Sequence, residues 1–231
     1  MMKNLFVIIF SMFSFVIFSL DFITSDGETD PLPCGIDTSD DPALWYNKSN
    51  PESSLILGTN KIKGGEGGLG VYSLEGKEIS YFKVGRLNNV DIHGNFALAS
   101  NRDNDSISVF HINERYGVSY KKDISLPVSP YGLCVHRDNL LLPLQNGTIL
   151  QYKIKLSTKK QEMSFVSVID LKKEVSIQDD VLIKERVYKE LKAEDELHRL
   201  EEKMKERFQL EACVSDKEKD EAYVAMEKMG I

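Results

Sequence analysis

Short runs of alternating apolar and polar residues recur along most of the chain and predict β-strands. Four of these runs end in a polar tail, and they cover residues 55–61, 96–102, 140–146 and 221–227. The first three begin 41 and 44 residues apart, and the last interval of 81 falls to about the same period once one helical stretch is removed. A period of about 40 to 50 residues built from short strands is typical of propeller blades. The pattern therefore predicts an all-β propeller.

Each repeat contains further strands around the recurring one. Second strands are predicted at residues 69–74, 106–112 and 147–154. A short apolar strand also precedes each copy and begins after polar residues, namely Asp40-Asp41-Pro42, Asn88-Asn89, Ser129-Pro130-Tyr131 (before Gly132-Leu133) and Gln209-Leu210-Glu211. Because propeller blades are related by rotation about one axis, we expect these polar positions to converge on one ring.

One segment has a helical period instead. From about residue 178 to residue 207, apolar residues stand at 183, 187, 191, 197, 200 and 204, with spacings of three and four dominating. Asp179 or Asp180 can cap the start, so the segment is predicted to be an amphipathic helix inserted between blades. Its mixed charges favour a solvated face over a recognition surface.

The first twenty residues differ from the rest of the chain. An apolar run from Leu5 to Leu20 follows Lys3, which is short for a membrane span and typical of a signal peptide. Residues 1–20 are therefore predicted to be a signal peptide, with a secreted or periplasmic location. If the segment is not cleaved, it instead anchors the chain in a membrane. Residues 21–38, rich in Asp, Gly, Thr and Pro, are predicted to be an extended lead-in.

Charge and cysteine content narrow the function classes. The formal net charge of -7 argues against a nucleic-acid partner and is compatible with bound cations. The three cysteines, Cys34, Cys134 and Cys213, are odd in number, so at least one would stay free in an oxidising compartment. The apolar contexts of Cys134 and Cys213 favour small buried hydrophobes.

Several polar residues are candidates for chemistry. Asp40 and Asp41 stand side by side where a strand begins, which suits a hard cation such as Ca²⁺, although Asp before Pro is also common in simple turns. Lys61, near a Gly-rich hairpin, suits a phosphate as a point charge, or is only solvated. Residues 101–105 are too short for an EF-hand loop and predict a hairpin turn. The four histidines show no ligand spacing and are predicted to be structural.

These motifs together resemble the β-propeller phytase family, calcium-dependent phosphatases that act on inositol hexakisphosphate (phytate). The matching segments are D-D-P-A-L-W (40–45), T-N-K (59–61), V-Y-S-L-E-G-K (71–77), L-N-N-V-D-I (87–92), A-S-N-R (99–102), Y-G-L (131–133), Q-Y (151–152) and Q-L-E-A-C-V-S-D (209–216). They are collinear from about residue 37 onward. The resemblance implies a six-bladed propeller, of which residues 39–231 would form about four blades with the helical insertion between them.

The resemblance also implies roles for individual residues. The residues that match ligands of catalytic calcium ions are Asp40, Tyr131, Glu211 and Glu227. Asp41, with the carbonyls of Pro42 and Val90, matches a structural calcium site. Lys61 and Arg102 match cations that bind substrate phosphate. Clustered metal ions would neutralise the polyanionic ester and lower the pKa of the attacking water.

The chain departs from the family pattern in places. Gln145 and Asn146 stand where the family usually has a phosphate-binding lysine followed by glutamate or an equivalent, and Ala212 replaces a glycine. The chain also stops at Ile231, inside the fourth repeat. The expected function is calcium-dependent hydrolysis of phytate, and the alternatives are an inactive truncated calcium- or phosphate-binding remnant and an unrelated propeller binding module. Open blade faces are expected to promote self-association.

Overall fold

The computed structural model describes residues 27–33, 38–115, 117–170, 210–216 and 218–226. This part of the chain contains fourteen strands and one short 3-10 helix, Pro51–Ser53. The strands are β1 (Ser39–Trp45), β2 (Leu55–Asn60), β3 (Gly68–Tyr72), β4 (Glu78–Lys83), β5 (Leu87–His93), β6 (Phe96–Asn101), β7 (Ser106–Asn113), β8 (Gly117–Ser125), β9 (Cys134–His136), β10 (Asn139–Pro143), β11 (Thr148–Leu156), β12 (Gln161–Asp170), β13 (Leu210–Asp216) and β14 (Glu221–Met226). The predicted signal peptide (1–20) and helical insertion (178–207) lie outside the described residues.

The strands form successive antiparallel sheets in chain order. Strands β1–β4 make blade 1, β5–β8 make blade 2 and β9–β12 make blade 3, while β13 and β14 are the described part of blade 4. The first strand of each blade contacts the first strand of the next, from β1 through β5 and β9 to β13. Consecutive four-stranded blades joined in this way are the architecture of a propeller. The prediction of an all-β, partial propeller is confirmed.

Strand β6 shows why the recurring segments are apolar on both faces. Successive side chains of a strand point to opposite faces of the sheet. Phe96 and Leu98 belong to the apolar core between blades 2 and 3, whereas Ala97 and Ala99 belong to the core between blades 1 and 2. All the residues of β6 are buried. A strand packed between two blades therefore has an almost continuous apolar sequence.

The outer strands β4, β8 and β12 were not predicted from the sequence. Strand β8 contains no buried residue, so the alternation that identifies a half-buried strand is missing from its sequence. The start of β9 also differs from the prediction. It lies at Cys134 rather than at Gly132-Leu133. Gly132 still donates its N–H to the Pro143 carbonyl at 3.2 Å, but the preceding Tyr131 carbonyl is turned to the Ser100 side chain of blade 2, so the regular ladder begins only at Cys134.

Cys134 and Cys213 form a disulfide bond, so their prediction as separate buried hydrophobes is wrong. The bond joins the inner strands β9 and β13, across the contact between blades 3 and 4. Two side-chain contacts reinforce this contact: His136 Nε2 lies 2.7 Å from an Asp220 carboxylate oxygen, and an Arg137 nitrogen lies 2.9 Å from the same oxygen. The 79-residue separation is set by packing between blades, which no local pattern reveals.

Large apolar side chains are exposed on the later blades. Phe165 and Val168 on β12 are 58% and 53% exposed, and Val214 on β13 is 64% exposed. The predicted self-association through open blade faces stays a prediction. Among the described residues, no helix has both the length and the apolar character that a membrane crossing requires.

Candidate functional site

The predicted site residues of blades 1 and 2 lie at the same end of the inner strands. Asp40 and Asp41 are in the first residues of β1, and Lys61 directly follows β2. The antiparallel pairing of β1 with β2 places these residues side by side. Arg102 follows β6 in the same way, beside the start of β5. The strand register therefore gathers acids and cations from two blades at one end of the propeller.

A buried asparagine fixes the backbone at each predicted cation. The side-chain oxygen of Asn60 accepts the backbone N–H two residues further on at 3.0 Å, and that of Asn101 does the same at 3.2 Å. Both asparagines are fully buried. Asparagine turns of this kind set the direction of the chain without a regular ladder. Lys61 and Arg102 are the middle residues of these two turns. Each turn therefore fixes the backbone from which the cationic side chain extends.

Lys61 makes an ion pair with Asp40. The distance from Lys61 Nζ to Asp40 Oδ1 is 2.9 Å, and both side chains are about one quarter exposed. Partial burial weakens screening by water, so this pair is held more firmly than a fully exposed one. The ion pair therefore keeps the Lys61 ammonium group next to Asp40 when no other anion is bound.

Arg102 lies over the ring of Tyr131, with 4.8 Å between the guanidinium carbon and the ring centroid. This is the geometry of a cation–π contact. Burial and the neighbouring Arg86 lower the pKa of Arg102, whereas Tyr131 and Asp40 raise it. Arginine remains protonated in proteins under such shifts. Arg102 of blade 2 thus lies against Tyr131 of blade 3 and close enough to Asp40 of blade 1 for that carboxylate to raise its pKa.

Arg86 is a third cation that sequence reasoning missed. Its Nε donates a hydrogen bond to the Lys61 carbonyl at 3.1 Å, and its carbonyl accepts the N–H of Arg102 at 2.9 Å. Its guanidinium is close enough to lower the pKa of Arg102. The hairpin register could have identified Arg86. In an antiparallel hairpin the residue just before β5, Arg86, must lie beside the residue just after β6, Arg102.

Asp41 is a partly buried carboxylate beside other carboxylates. One of its oxygens accepts the Val90 N–H at 2.9 Å. Burial raises the pKa of Asp41 to about 6, and the charges of Asp40 and Asp91 add to this rise, while hydrogen bonds from Val90 and Asn89 oppose it. Asp41 thus contacts Val90 through the Val90 N–H, whereas the calcium role of the Val90 carbonyl stays a prediction. A carboxylate whose charge is costly in this way is well suited to a cation.

The oxygen atoms near Asp41 are suitable ligands for a hard cation such as Ca²⁺. The side-chain oxygen of Asn88 is buried and, within the described part of the chain, has no hydrogen-bond partner. Pro42 and Val90, which closely follow Asp41 and Asn88 in the chain, line a cleft between blades 1 and 2 with a volume of about 540 Å³. Carboxylate, amide and carbonyl oxygens are the ligands that Ca²⁺ prefers. Asp40, Asp41 and Asn88 therefore match its chemistry.

The described residues do not complete a metal site on their own. Among them, no group of three or more His, Cys, Asp or Glu side chains is placed to hold a metal ion. Glu211 is the second residue of β13, which puts its backbone at the start of an inner strand, as Asp40 is in β1. The side chain of Glu211 and the whole of Glu227 lie outside the described residues.

Blade 3 has no cation at the positions that depart from the family pattern. Gln145 is exposed. The side-chain oxygen of Asn146 accepts both the N–H and the hydroxyl of Thr148, at 3.1 and 2.6 Å, and so closes a tight turn. Cations are thus present at this end of blades 1 and 2 but not at Gln145 and Asn146 of blade 3.

The fold comparisons give only distant likenesses. A crystal structure of a protein from Lactobacillus plantarum is 12% identical, with a TM-score of 0.40 over 55% of this chain and 40% of that one. Sqt1 from Chaetomium thermophilum is 9% identical, with a TM-score of 0.40 over 58% of this chain and 36% of that one. Neither likeness bears on function.

The sequence comparisons agree with one another. The 3-phytase of Bacillus subtilis (strain 168) is 43% identical over 76 residues, which are 33% of this chain and 19% of that protein. The matched part therefore spans about a fifth of that relative's length. The family model described as Phytase matches residues 16–131, which is half of the chain. The matched region contains Asp40, Lys61, Arg86, Arg102 and Tyr131, and the chain therefore belongs to the β-propeller phytase family.

Proposed function

We propose that this site binds the phosphate groups of phytate and hydrolyses them with the help of Ca²⁺. The observation that carries the proposal is the convergence of Lys61, Arg86 and Arg102 beside the acids at the start of β1. The protein as a whole has a net charge of -7, so a cluster of three cations is a local exception. Such a cluster suits a ligand that carries several negative charges.

The cations have different parts in this proposal. The planar fork of Arg102 binds two phosphate oxygens at once, and the Tyr131 ring keeps that fork in its plane. Lys61 carries a point charge, and its ammonium group leaves Asp40 to pair with the phosphate when the phosphate binds. Arg86 extends the positive surface along the start of β5. Together these side chains orient the ester and reduce its charge repulsion with the attacking water.

Ca²⁺ would be held by oxygen ligands next to these cations. Asp40, Asp41 and Asn88 are the described ligands, and the proposal includes Tyr131, Glu211 and Glu227 as the family resemblance implies. When bound, the ion neutralises phosphate charge and lowers the pKa of a bound water. The role of Asp40 and Asp41 is to keep negative charge concentrated at the start of β1, and burial makes the charge of Asp41 costly without a cation.

An inactive calcium- or phosphate-binding protein is the second candidate function. The observation that favours it is blade 3, where Gln145 and Asn146 supply no cation and Asn146 is committed to a turn. A site in which only two blades contact the phosphate can bind it without aligning the ester for attack by water.

The proposal also places the protein in a secreted or periplasmic location. The disulfide bond between Cys134 and Cys213 supports this, since such bonds persist mainly in oxidising compartments. The apolar run at residues 5–20 supports it independently.

Titration with inorganic phosphate tests the grip on the anion. Arg102→Ala is expected to weaken binding about tenfold or more, the loss typical of hydrogen bonds to a charged group. Lys61→Ala is expected to have a smaller effect, because lysine lacks the bidentate fork and its removal also frees Asp40. Lys63→Ala is the matched control, since this exposed lysine stands two residues further along the same loop. Equal affinities in all four proteins would contradict the proposed anion site.

Gln145→Lys tests whether the departure in blade 3 limits the site. A new cation at this exposed position is expected to raise phosphate affinity roughly two- to fivefold, as a partly screened charge allows. Asn146→Lys serves as a comparison, because it adds the same charge but removes the acceptor of the Thr148 bonds. Calorimetry that shows no gain from Gln145→Lys would mean that this position does not face the bound phosphate.

A further inference from the structure

Two hydroxyl side chains occupy equivalent places in blades 1 and 2. Thr59 and Ser100 directly precede the buried asparagine and the cation in the segments T-N-K and S-N-R. Both are almost completely buried, at 1% and 0% exposure. A buried hydroxyl without a hydrogen-bond partner is costly, so the bonds that these two hydroxyls make indicate which segments they hold together.

Each hydroxyl links its own blade to the next one. Thr59 Oγ1 accepts the N–H of Asp41 at 2.9 Å and donates to the Asn88 carbonyl of blade 2 at 2.5 Å. The Asp41 carbonyl is a more distant acceptor, at 3.2 Å. In the next blade, Ser100 Oγ accepts the N–H of Asn89 at 3.0 Å and donates to the Tyr131 carbonyl of blade 3 at 3.1 Å.

The hydroxyls act where the strand ladder is interrupted. The register of β1 shifts between Ser39 and Pro42, and that of β5 shifts between Leu87 and Val90. These irregularities contain the residues that present acids and amides to the site. Because the N–H groups of Asp41 and Asn89 bond to a side-chain hydroxyl of the neighbouring strand rather than to its backbone, the hydroxyl determines how each irregular segment is held.

We propose that Thr59 and Ser100 are positioning residues that act on different halves of the site. Thr59 bonds to the segments that carry Asp41 and Asn88, so it positions the calcium ligands. Ser100 bonds to the residue whose ring lies against Arg102, so it positions the phosphate-binding half. This inference rests on the proposed function for the identity of the two ligands.

Blade 3 lacks the whole arrangement. Leu144, buried and without a hydroxyl, occupies the position equivalent to Thr59 and Ser100. Gln145 and Asn146 follow it in place of the asparagine and the cation. Between blades 3 and 4 the inner strands are joined by the disulfide bond instead. In blades 1 and 2 the hydroxyl therefore occurs together with the site cation, whereas at the equivalent positions of blade 3 both are replaced.

Titrations with CaCl₂ and with inorganic phosphate test the proposal. Thr59→Val is expected to weaken calcium binding roughly fivefold, the factor for one lost hydrogen bond, and to affect phosphate less. Ser100→Ala is expected to weaken phosphate binding roughly fivefold and calcium binding less. Among the proposed calcium ligands this change affects Tyr131, while Asp41 and Asn88 keep their bonds to Thr59. Thr59→Ser and Ser100→Thr each keep a hydroxyl at the position and are expected to bind both ions as the parent does. Ser106→Ala is the control, because this buried hydroxyl has no partner among the described residues.

The two ways of failing can be told apart. Equal losses for both ions in Thr59→Val and Ser100→Ala, in proportion to a lower unfolding temperature, would show a structural role only and overturn the inference. If the parent binds neither ion, the proposed function fails, and amide hydrogen exchange then decides. Faster exchange at Asp41 in Thr59→Val and at Asn89 in Ser100→Ala, reversed in the conservative variants, supports the positioning role, and unchanged exchange overturns it.

Discussion

Replacing Asp41 with asparagine is expected to raise the unfolding temperature in the presence of a chelator and to abolish the stabilisation that millimolar calcium gives the parent. Burial, aided by Asp40 and Asp91, raises the pKa of Asp41 to about 6 in the folded chain. Its negative charge therefore opposes folding at neutral pH when no cation is present. Asparagine removes the charge but keeps an acceptor for the Val90 N–H. The expected shift is several degrees, at about 2–4 °C per kcal/mol.

The same group predicts a pH dependence with a definite sign. In the unfolded chain the carboxyl has an ordinary pKa near 4, so between about pH 4 and pH 6 the folded state binds more protons than the unfolded state. The destabilisation caused by Asp41 is then absent below about pH 4 and complete above about pH 6. In chelator, the advantage of the Asp41→Asn variant over the parent should therefore grow across this range.

Thermal unfolding of both proteins from pH 4 to pH 8, with chelator and with calcium, measures these effects. Asp105→Asn is the matched control, because it removes one negative charge from an exposed turn. A difference between parent and Asp41→Asn that does not change with pH, or a variant that calcium stabilises as much as the parent, would contradict the role given to Asp41.

Loss of the disulfide bond is expected to have the largest effect on stability. In the chain-entropy description, a disulfide bond between cysteines 79 residues apart lowers the entropy of the unfolded chain and so stabilises the folded state by about 4.5 kcal/mol. The double variant Cys134→Ala/Cys213→Ala should lose a comparable part of its unfolding free energy. Strands β13 and β14 should lose amide protection first, because the bond fastens β13 to β9.

Urea unfolding with and without reducing agent measures this loss. Reduction should lower the midpoint of the parent and leave the double variant unchanged. Cys34→Ala, which keeps both bonded cysteines, should respond to reduction as the parent does. A parent whose midpoint is insensitive to reduction would show that the bond between blades 3 and 4 contributes nothing measurable.

The sequence was sufficient where structure follows from local pattern. The recurring segments became β2, β6, β10 and β14, because alternating and buried strands have a recognisable order of side chains. Lys61 and Arg102 were found because each follows such a strand directly. The outer strands were missed because they are only partly buried: β8, for example, contains no buried residue, so no clear apolar periodicity marks it.

Features that depend on contacts between distant segments could not be predicted. The pairing of Cys134 with Cys213 requires blades 3 and 4 to lie side by side. Arg86 becomes part of the site only through the register of β5 against β6. The repeated hydroxyl of T-N-K and S-N-R was visible in the sequence, but its bonds to the following blade were not.

The central claim is that one end of the propeller forms a calcium-dependent site for phosphate esters. Release of inorganic phosphate from phytate, measured for the parent and Arg102→Ala in millimolar calcium and in chelator, tests it most directly. We expect the parent to release phosphate only with calcium, and the Arg102→Ala variant to be at least tenfold slower, as loss of a charged hydrogen bond implies. No release by a folded parent that still binds calcium and phosphate would favour the inactive binding protein, and release that is equally fast in chelator or unaffected by Arg102→Ala would contradict the account.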